Sequence, residues 1–250
     1  MPLAVFFIAL AMVVVFAIGW PRIRIPRAPG PEGIEDPQVA RAYDRISRMP
    51  QFQALRRIIV SKLSERPPCG VLADIGCGPG LLTALVALRY PELKVLGIDT
   101  SQEMVKAAAS NASALGLSSR LEFREGDIAR LPLPEASLDV ALSTLSLHHW
   151  SDPGQALAEV HRVLKPGGRF LLFDLRRDAR RLFYFLMVFA QTFIVPRQLR
   201  RVGEPLGSLR ASYTRAEVED LLRRSPFQGG DVDGGIAWLF VWGVKRARQP

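Results

Sequence analysis

The sequence predicts an α/β fold, a doubly wound and mainly parallel sheet, with a transmembrane helix ahead of it. Three observations carry this. From Val71 onward, short apolar runs alternate with amphipathic helical stretches, the signature of parallel strands joined by crossover helices. A glycine-rich loop stands between the first such run and the first such helix. Pro2 to Trp20 carry no charged side chain.

Composition narrows the class further. The 250 residues are 48% hydrophobic and 23% charged, with 20 Gly and 19 Pro, which excludes a disordered tail, a collagen-like repeat and a disulfide-stapled miniprotein. Cys69 and Cys77 make neither a zinc pattern nor a disulfide framework, which points to a reducing compartment. With only His148, His149 and His161 available, no histidine-rich metal centre is expected. The net charge of +9, from 33 Lys and Arg against 24 Asp and Glu, favours an acidic partner, either nucleic acid or an anionic membrane.

Residues 1–20 read as the membrane anchor. Nineteen helical residues reach roughly 28 Å, against a hydrocarbon core of about 30 Å. Trp20 suits the interface, Pro21 stops the helix, and Arg22, Arg24 and Arg27 follow. The positive flank places the rest of the chain in the cytoplasm as a single-pass protein. A cleaved signal peptide would want a basic start and a small-x-small site, and neither is present. Residues 21–38, rich in Pro, Gly and Arg, read as a linker, and 39–250 as one domain.

Within that domain, a helical region is expected from about Pro37 to Leu63, on the spacing of Phe52, Leu55, Ile58, Ile59 and Leu63. Strands are expected at 71–75, 94–98, 120–124, 138–143 and 169–174, and helices at 80–89, 101–115 and 153–164. Ser151 or Asp152 caps the last of these, and Pro166, Gly167 and Gly168 stop it. A helix near 214–224 and a strand near 237–244 complete the chain, with Gly229, Gly230, Gly234 and Gly235 turning a final antiparallel pair. Asp139 reads as a structural acid beginning an edge strand.

The stretch Val71-Leu72-Ala73-Asp74-Ile75-Gly76-Cys77-Gly78-Pro79-Gly80 is the most informative. Glycines at 76, 78 and 80 let the backbone turn sharply and approach a ligand with no Cβ in the way. Asp99 ends the second strand 19 residues beyond Gly80, where a carboxylate can accept from ribose hydroxyls. The frame is wrong for a dinucleotide fingerprint, since Leu81 or Thr83 stands where Gly or Ala is required, and no phosphate-loop Lys follows. An acid two residues before the first glycine suits the ammonium of an amino-acid moiety better than a pyrophosphate.

With these residues the chain resembles a class I S-adenosylmethionine-dependent methyltransferase of the small-molecule and quinone type. The likeness runs from about Ala40 to Arg246. It rests on the loop, on Gly97-Ile98-Asp99-Thr100-Ser101 with Met104, and on Glu125-Gly126-Asp127-Ile128. Leu138-Asp139-Val140-Ala141 and Leu164-Lys165-Pro166-Gly167-Gly168 extend it. The resemblance implies a seven-stranded Rossmann-like sheet and S-adenosyl-L-methionine as cofactor. It places Asp74, Gly76, Cys77, Gly78 and Gly80 at the methionine end, and Asp99 with Thr100 at the ribose. Met104, Asp127 and Ile128 fall near the adenine, and Ser143 and Thr144 face the sulfonium. Tyr43, followed by Asp44, falls on an N-terminal helix that closes over the cofactor.

Methyl transfer needs a base only where the acceptor must lose a proton, and His148 and His149 lie where one would stand, just past the fourth strand. Leu182 to Pro196 is uncharged and rich in Phe, with Arg176, Arg177, Arg180 and Arg181 before it and Arg197, Arg200 and Arg201 after. Too short to span a bilayer, residues 182–196 read as a helix at the membrane interface, with the arginines on lipid phosphates, admitting a small lipophilic acceptor. The competing reading is a buried lid helix. The reading of function is therefore a membrane-anchored methyltransferase performing O- or C-methylation. Its alternatives are an RNA or protein methyltransferase and a non-catalytic binder of the same fold. Against nucleic acid, no recognition module is appended and the basic residues gather around an apolar segment.

Overall fold

Apolar runs become strands wherever both faces are covered. The computed structural model describes residues 22–28 and 35–247, so the expected anchor, residues 1–20, lies outside the described residues. β1 (Val71–Ile75), β2 (Lys94–Asp99), β3 (Leu121–Glu125), β4 (Leu138–Thr144), β5 (Leu164–Leu175), β6 (Asp231–Gly234) and β7 (Trp238–Val244) form one sheet. Their order is β3-β2-β1-β4-β5-β7-β6, and only β7 runs against its neighbours. The seven-stranded, doubly wound sheet expected from the sequence is the one observed.

Alternation along the central strands feeds two cores. Phe170 and Leu172 of β5 enter one, with Leu157, Val160 and Val163 from the helix α5 (Pro153–Val163). Leu171 and Phe173 enter the other, with Leu72 of β1 and Leu142 of β4. Burying each such side chain contributes about 1.5–3 kcal/mol. The second core also takes Ile59, Val60 and Leu63 from α2 (Pro50–Ser64), which follows α1 (Pro37–Ser47) after a break at Arg48 and Met49. The single helical region expected from Pro37 to Leu63 is thus two helices, because Pro50 supplies no N–H to continue the first.

The crossover helices start where side-chain caps are available. Ser101 accepts from the Met104 N–H to open α4 (Gln102–Ala114), and Asp152 from the Gln155 N–H to open α5. The helix α3 (Leu81–Arg89) differs. It starts from Gly80 at φ 71° with no side-chain cap.

Three features depart from expectation. β5 begins at Leu164, so Lys165 to Gly168 belong to the strand, with an irregularity in the β4 pairing between Leu138 and Val140. Beyond β5 the chain forms α6 (Arg181–Phe193), α7 (Arg197–Arg201) and α8 (Leu206–Ala211), the last two not anticipated. α9 (Arg215–Arg224) then opens on a capping box of Thr214 and Glu217. Finally, the described part of the stretch read as a linker, 22–28, is tied to the domain. Ile23 N–H donates to the Ala179 carbonyl (3.0 Å), Ala28 N–H to that of Arg210 (3.1 Å), and the Arg27 Nε to that of Ala211 (2.7 Å).

Asp139 is structural, but on the central strand rather than an edge. Its Oδ2 accepts from the Val71 N–H (2.8 Å) and pairs with Lys165 Nζ (2.7 Å), at the end of β4 away from the loops that follow β1 and β4. Asp139→Ala should lower stability by about 1–3 kcal/mol, because the Val71 donor loses its acceptor. Urea unfolding should show a lower midpoint at unchanged slope.

Candidate functional site

The loop after β1 is pinned before it is shaped. Gly76 and Cys77 N–H groups both donate to the Ile98 carbonyl (2.7 and 3.0 Å), tying the turn to β2. Gly76, Gly78 and Gly80 then take φ of +73°, +52° and +71°, the left-handed region where other residues are strained. A Cβ at Gly76 would stand 2.7 Å from Ser146 Oγ, and one at Gly80 2.8 Å from the Ala108 Cβ. Gly78 is different, since its nearest neighbour would be Tyr43 Cε1 at 3.7 Å. The space above it belongs to a small open cleft of about 70 Å³. Tyr43, Phe52 and Leu55 form one wall of that cleft, and Gly76 to Pro79 with Thr144 and Leu145 form the other. Asn111 fastens the helix wall to the loop, donating to the Pro79 carbonyl (2.8 Å) and to Asp44 Oδ1 (3.0 Å).

Asp74 lies beneath this loop, 1% exposed. Thr83 Oγ1 donates to its Oδ2 (2.6 Å), while Oδ1 is buried with no partner. Burial, and to a lesser degree the charge on Asp99, push its carboxyl up to about 7 against the pull of the Thr83 bond. A buried carboxylate oxygen without a donor is costly, and an ammonium is the group that would satisfy it. Asp99 ends β2 with Oδ2 on the Gly78 N–H (2.8 Å) and Oδ1 on the Ser101 N–H (2.9 Å). Its carboxyl is raised by burial, which those two donors oppose.

The remaining expected cofactor residues divide. Thr100 is exposed and Met104 is buried. Asp127 is exposed beside Asp99, whose carbonyl accepts the Gly126 N–H (2.9 Å), and it turns Oδ1 to the Ala129 N–H (2.8 Å). Ile128 packs on the first core. Cys77 is buried and its thiol raised by burial, so no thiolate is available. Ser143 departs from the expected role: its hydroxyl donates to the Ile75 carbonyl (2.7 Å) and so holds the end of β1. Thr144 does line the cleft.

A second group gathers at the ends of β4 and β5. Leu145 sits at φ 54°, uncommon for a branched side chain, and leads through Ser146 into the 3-10 turn Leu147–His149. His148 is 3% exposed, and its Nδ1 lies 2.7 Å from Asp174 Oδ1. The His148 backbone N–H also donates to Asp174 Oδ2 (2.9 Å), so the acid holds both ring and main chain. The Nε2 is buried without a partner. Burial disfavours the charged imidazole, yet Asp174, with a smaller contribution from Glu204, outweighs it and raises His148 above its ordinary value. His149, its ring centroid 4.1 Å away, is lowered to about 4 by burial and by the charge on His148.

Two of these residues escaped the sequence reading. Asp174 had a signal, an acid closing the apolar run Phe170 to Phe173. Glu204 had none. It is raised by burial, accepts the proton of the Ser208 hydroxyl, whose oxygen lies 2.6 Å from both carboxylate oxygens, and shifts the Tyr43 phenol upward after burial has done most of that work.

A doubly wound sheet with a glycine loop, an acid one donor short beneath it and a second acid at the end of β2 defines a Rossmann-like α/β fold. The family model for the methyltransferase domain matches residues 73–172. The chain is 30% identical over 237 residues to the ubiquinone/menaquinone biosynthesis C-methyltransferase of Desulfotalea psychrophila, covering 88% of this chain and 92% of that one. It is 39% identical over 130 residues to an uncharacterized 37.1 kDa transposon protein of Streptomyces fradiae, but spans only 36% of its length. The crystal structure of a methyltransferase dependent on S-adenosylmethionine from Aquifex aeolicus superposes with a TM-score of 0.61 at 21% identity, over 84% of this chain and 98% of that one. The chain belongs to the S-adenosylmethionine-dependent methyltransferases, and S-adenosylmethionine is its cofactor.

The residues present fit that cofactor, with Asp74 Oδ1 lacking a donor and the backbone at Gly78 open to the cleft. Because the folded state keeps Asp74 protonated to higher pH than the unfolded chain does, this group's contribution to stability falls as pH rises from the ordinary carboxylate value toward 7. Asp74→Asn should therefore stabilise the unliganded protein by about 1–2 kcal/mol at pH 8. The same change should weaken S-adenosylmethionine binding tenfold or more, by roughly the strength of a charge-assisted hydrogen bond. Thermal unfolding with and without cofactor reads both effects.

Proposed function

We infer that the protein transfers a methyl group to a carbon or oxygen of a small, lipophilic acceptor of the quinone-precursor type. In this reading, residues 2–20 anchor it to a membrane and the domain faces the cytoplasm. The anchor rests on the uncharged run and its arginine flank. Among the described residues, no single helix is long and apolar enough to cross a membrane. The acceptor class rests on the name of the Desulfotalea relative and on the apolar side chains of the cleft, Phe52, Leu55, Ile59 and Leu145.

Asp74 takes the ammonium of the donor, the Gly76–Gly80 loop its methionine backbone, and Asp99 the ribose diol beside Thr100. Met104, Asp127 and Ile128 surround the adenine. Tyr43 and Thr144 close on the methionine end, where Ser143 acts through the Ile75 carbonyl. The cofactor supplies a methyl group on a sulfonium with a good leaving group, so the chain's remaining tasks are alignment and proton removal.

The single observation that carries the mechanism is the His148–Asp174 pair. A proton on Nδ1 donated to Asp174 leaves the Nε2 lone pair to accept one from a phenol or enol. As the methyl group joins the acceptor, that proton ends on Nε2, and Asp174 stabilises the resulting imidazolium. His149, lowered to about 4, is the weaker base of the two.

Membranes from cells expressing the full chain, supplied with methyl-labelled S-adenosylmethionine, should yield label in the organic-extractable fraction, lost in Asp99→Ala. Label in protein or RNA instead would move the acceptor there. The rate should rise with pH through a midpoint above the ordinary imidazole value of about 6.5. Asp174→Asn should lower that midpoint and slow turnover about 10- to 1,000-fold without weakening cofactor binding. An unchanged pH profile in Asp174→Asn would sink the role given to the pair.

A further inference from the structure

The helix α6 has two apolar faces and only one of them is covered. Phe183, Tyr184 and Met187 pack on Ala179, Leu209 and Ala237. On the outer side Phe185, Leu186, Phe189, Phe193 and Ile194 are each more than half exposed, and no residue of the helix is buried. Five large apolar side chains standing together in water mark an interaction surface.

Charge identifies what this surface meets. From Ala179 to Gly203 there is no acidic residue, while Arg181, Arg197, Arg200 and Arg201 are all exposed around the apolar face. The place where the preceding chain arrives is a second, independent indication. Arg22 pairs in an antiparallel bridge with Arg180, the residue before α6, and its Nη1 donates to the Asp178 carbonyl (2.9 Å). The uncharged run Pro2 to Trp20 therefore ends two residues from a point fixed at the start of α6. Ile236, also exposed, sits at the same place, its carbonyl accepting from the Arg180 N–H (3.2 Å).

We propose that the outer face of α6, held beside the Arg22 end of the docked 22–28 segment, lies on an anionic lipid bilayer. Its phenylalanines enter the interfacial region and its flanking arginines meet lipid phosphates. The helix lies in the plane. Its 13 residues reach roughly 20 Å, too short to cross. The chain then bends by 118° into Arg197–Ala211, where Leu209 is buried in the domain. The arginine set is smaller than the sequence suggested, because Arg176 and Arg177 are buried, on Asp178 (2.7 Å) and Glu217 (2.6 Å). This docking is independent of the acceptor chemistry proposed above.

The test uses the full chain in vesicles of phosphatidylcholine with about 30% phosphatidylglycerol. Phe189→Cys in a Cys69→Ser background carries an environment-sensitive fluorophore, and Leu115→Cys, on the exposed end of α4, is the control. Quenching by nitroxide-labelled lipid should be about threefold or more stronger at 189 than at 115. It should fall at least about twofold in vesicles of phosphatidylcholine alone, or when Arg197, Arg200 and Arg201 are changed to Glu. Phe193→Cys gives the same reading if the first site perturbs folding. Equal quenching at 189 and 115 overturns the proposal. So does a blue-shifted but unquenched label, which would mean that the N-terminal segment or a second copy covers the face. Quenching insensitive to lipid charge overturns the anionic partner.

Discussion

A parallel strand must be followed by a crossover, and the site exists because crossovers leave the centre of this sheet in opposite directions. From β1 the chain passes through α3 to β2, and from β4 through α5 to β5, so the loops following these neighbouring strands part. The crevice that opens at their C-terminal ends is where ligands of such sheets collect. Everything functional hangs on that separation: the glycine loop on one side, Leu145 to His149 on the other, and Ser146 so close to Gly76 that no Cβ fits between them. The Ser143 hydroxyl, bound to the Ile75 carbonyl, keeps the two strand ends in register where the loops diverge.

Two buried carboxylates stand near the C-terminal ends of β1 and β5, with different donors around them. Asp74 is left one donor short, and desolvation drives it toward the neutral form. Asp174 is supplied with the His148 ring and backbone and the Leu175 N–H (2.7 Å), and its charge favours the imidazolium. An acid short of donors is a receptor for a cation that arrives. An acid already paired positions what it holds. In the proposed mechanism, the number of donors around each carboxylate, rather than residue type, is what separates binding from proton handling.

What the sequence made legible was local. Gly76, Gly78 and Gly80 announce positive φ by residue type, alternation marks the strands, and Ser101 and Asp152 mark helix starts, so the fold and the shape of the loop after β1 could be read from windows of a few residues. The His148 side was half legible. His148 and Asp174 meet across 26 residues, and only the β4–β5 pairing brings them together. Composition also misled. The 21–38 stretch reads as linker because Pro, Gly and Arg usually solvate, yet its residues 22–28 find partners far along the chain, such as Arg22 on Asp178, 156 residues away. Asp139 reads as a structural acid of an edge strand, whereas its strand, β4, lies between β1 and β5, since strand order is a property of the whole sheet.

The positive charge resolves into two populations on the same ground. Arg22, Arg27, Arg176 and Arg177 spend their guanidinium groups on backbone carbonyls or on the partly exposed acids Asp178 and Glu217, and Arg177 alone reaches Ile25, Ser212 and Glu217. Those arginines act as cross-links that fasten 22–28 to the segment after β5, and no anionic partner is needed to explain them. Of the exposed set around α6, Arg200 gives one N–H to the Thr192 carbonyl (3.0 Å), while Arg181, Arg197 and Arg201 find no such partner among the described residues. Because the first set fixes where the chain enters the domain and the second surrounds the apolar helix at that same point, orientation at a membrane would follow from the internal bonds of the protein. The anchor proposed for residues 2–20 would only have to hold it there.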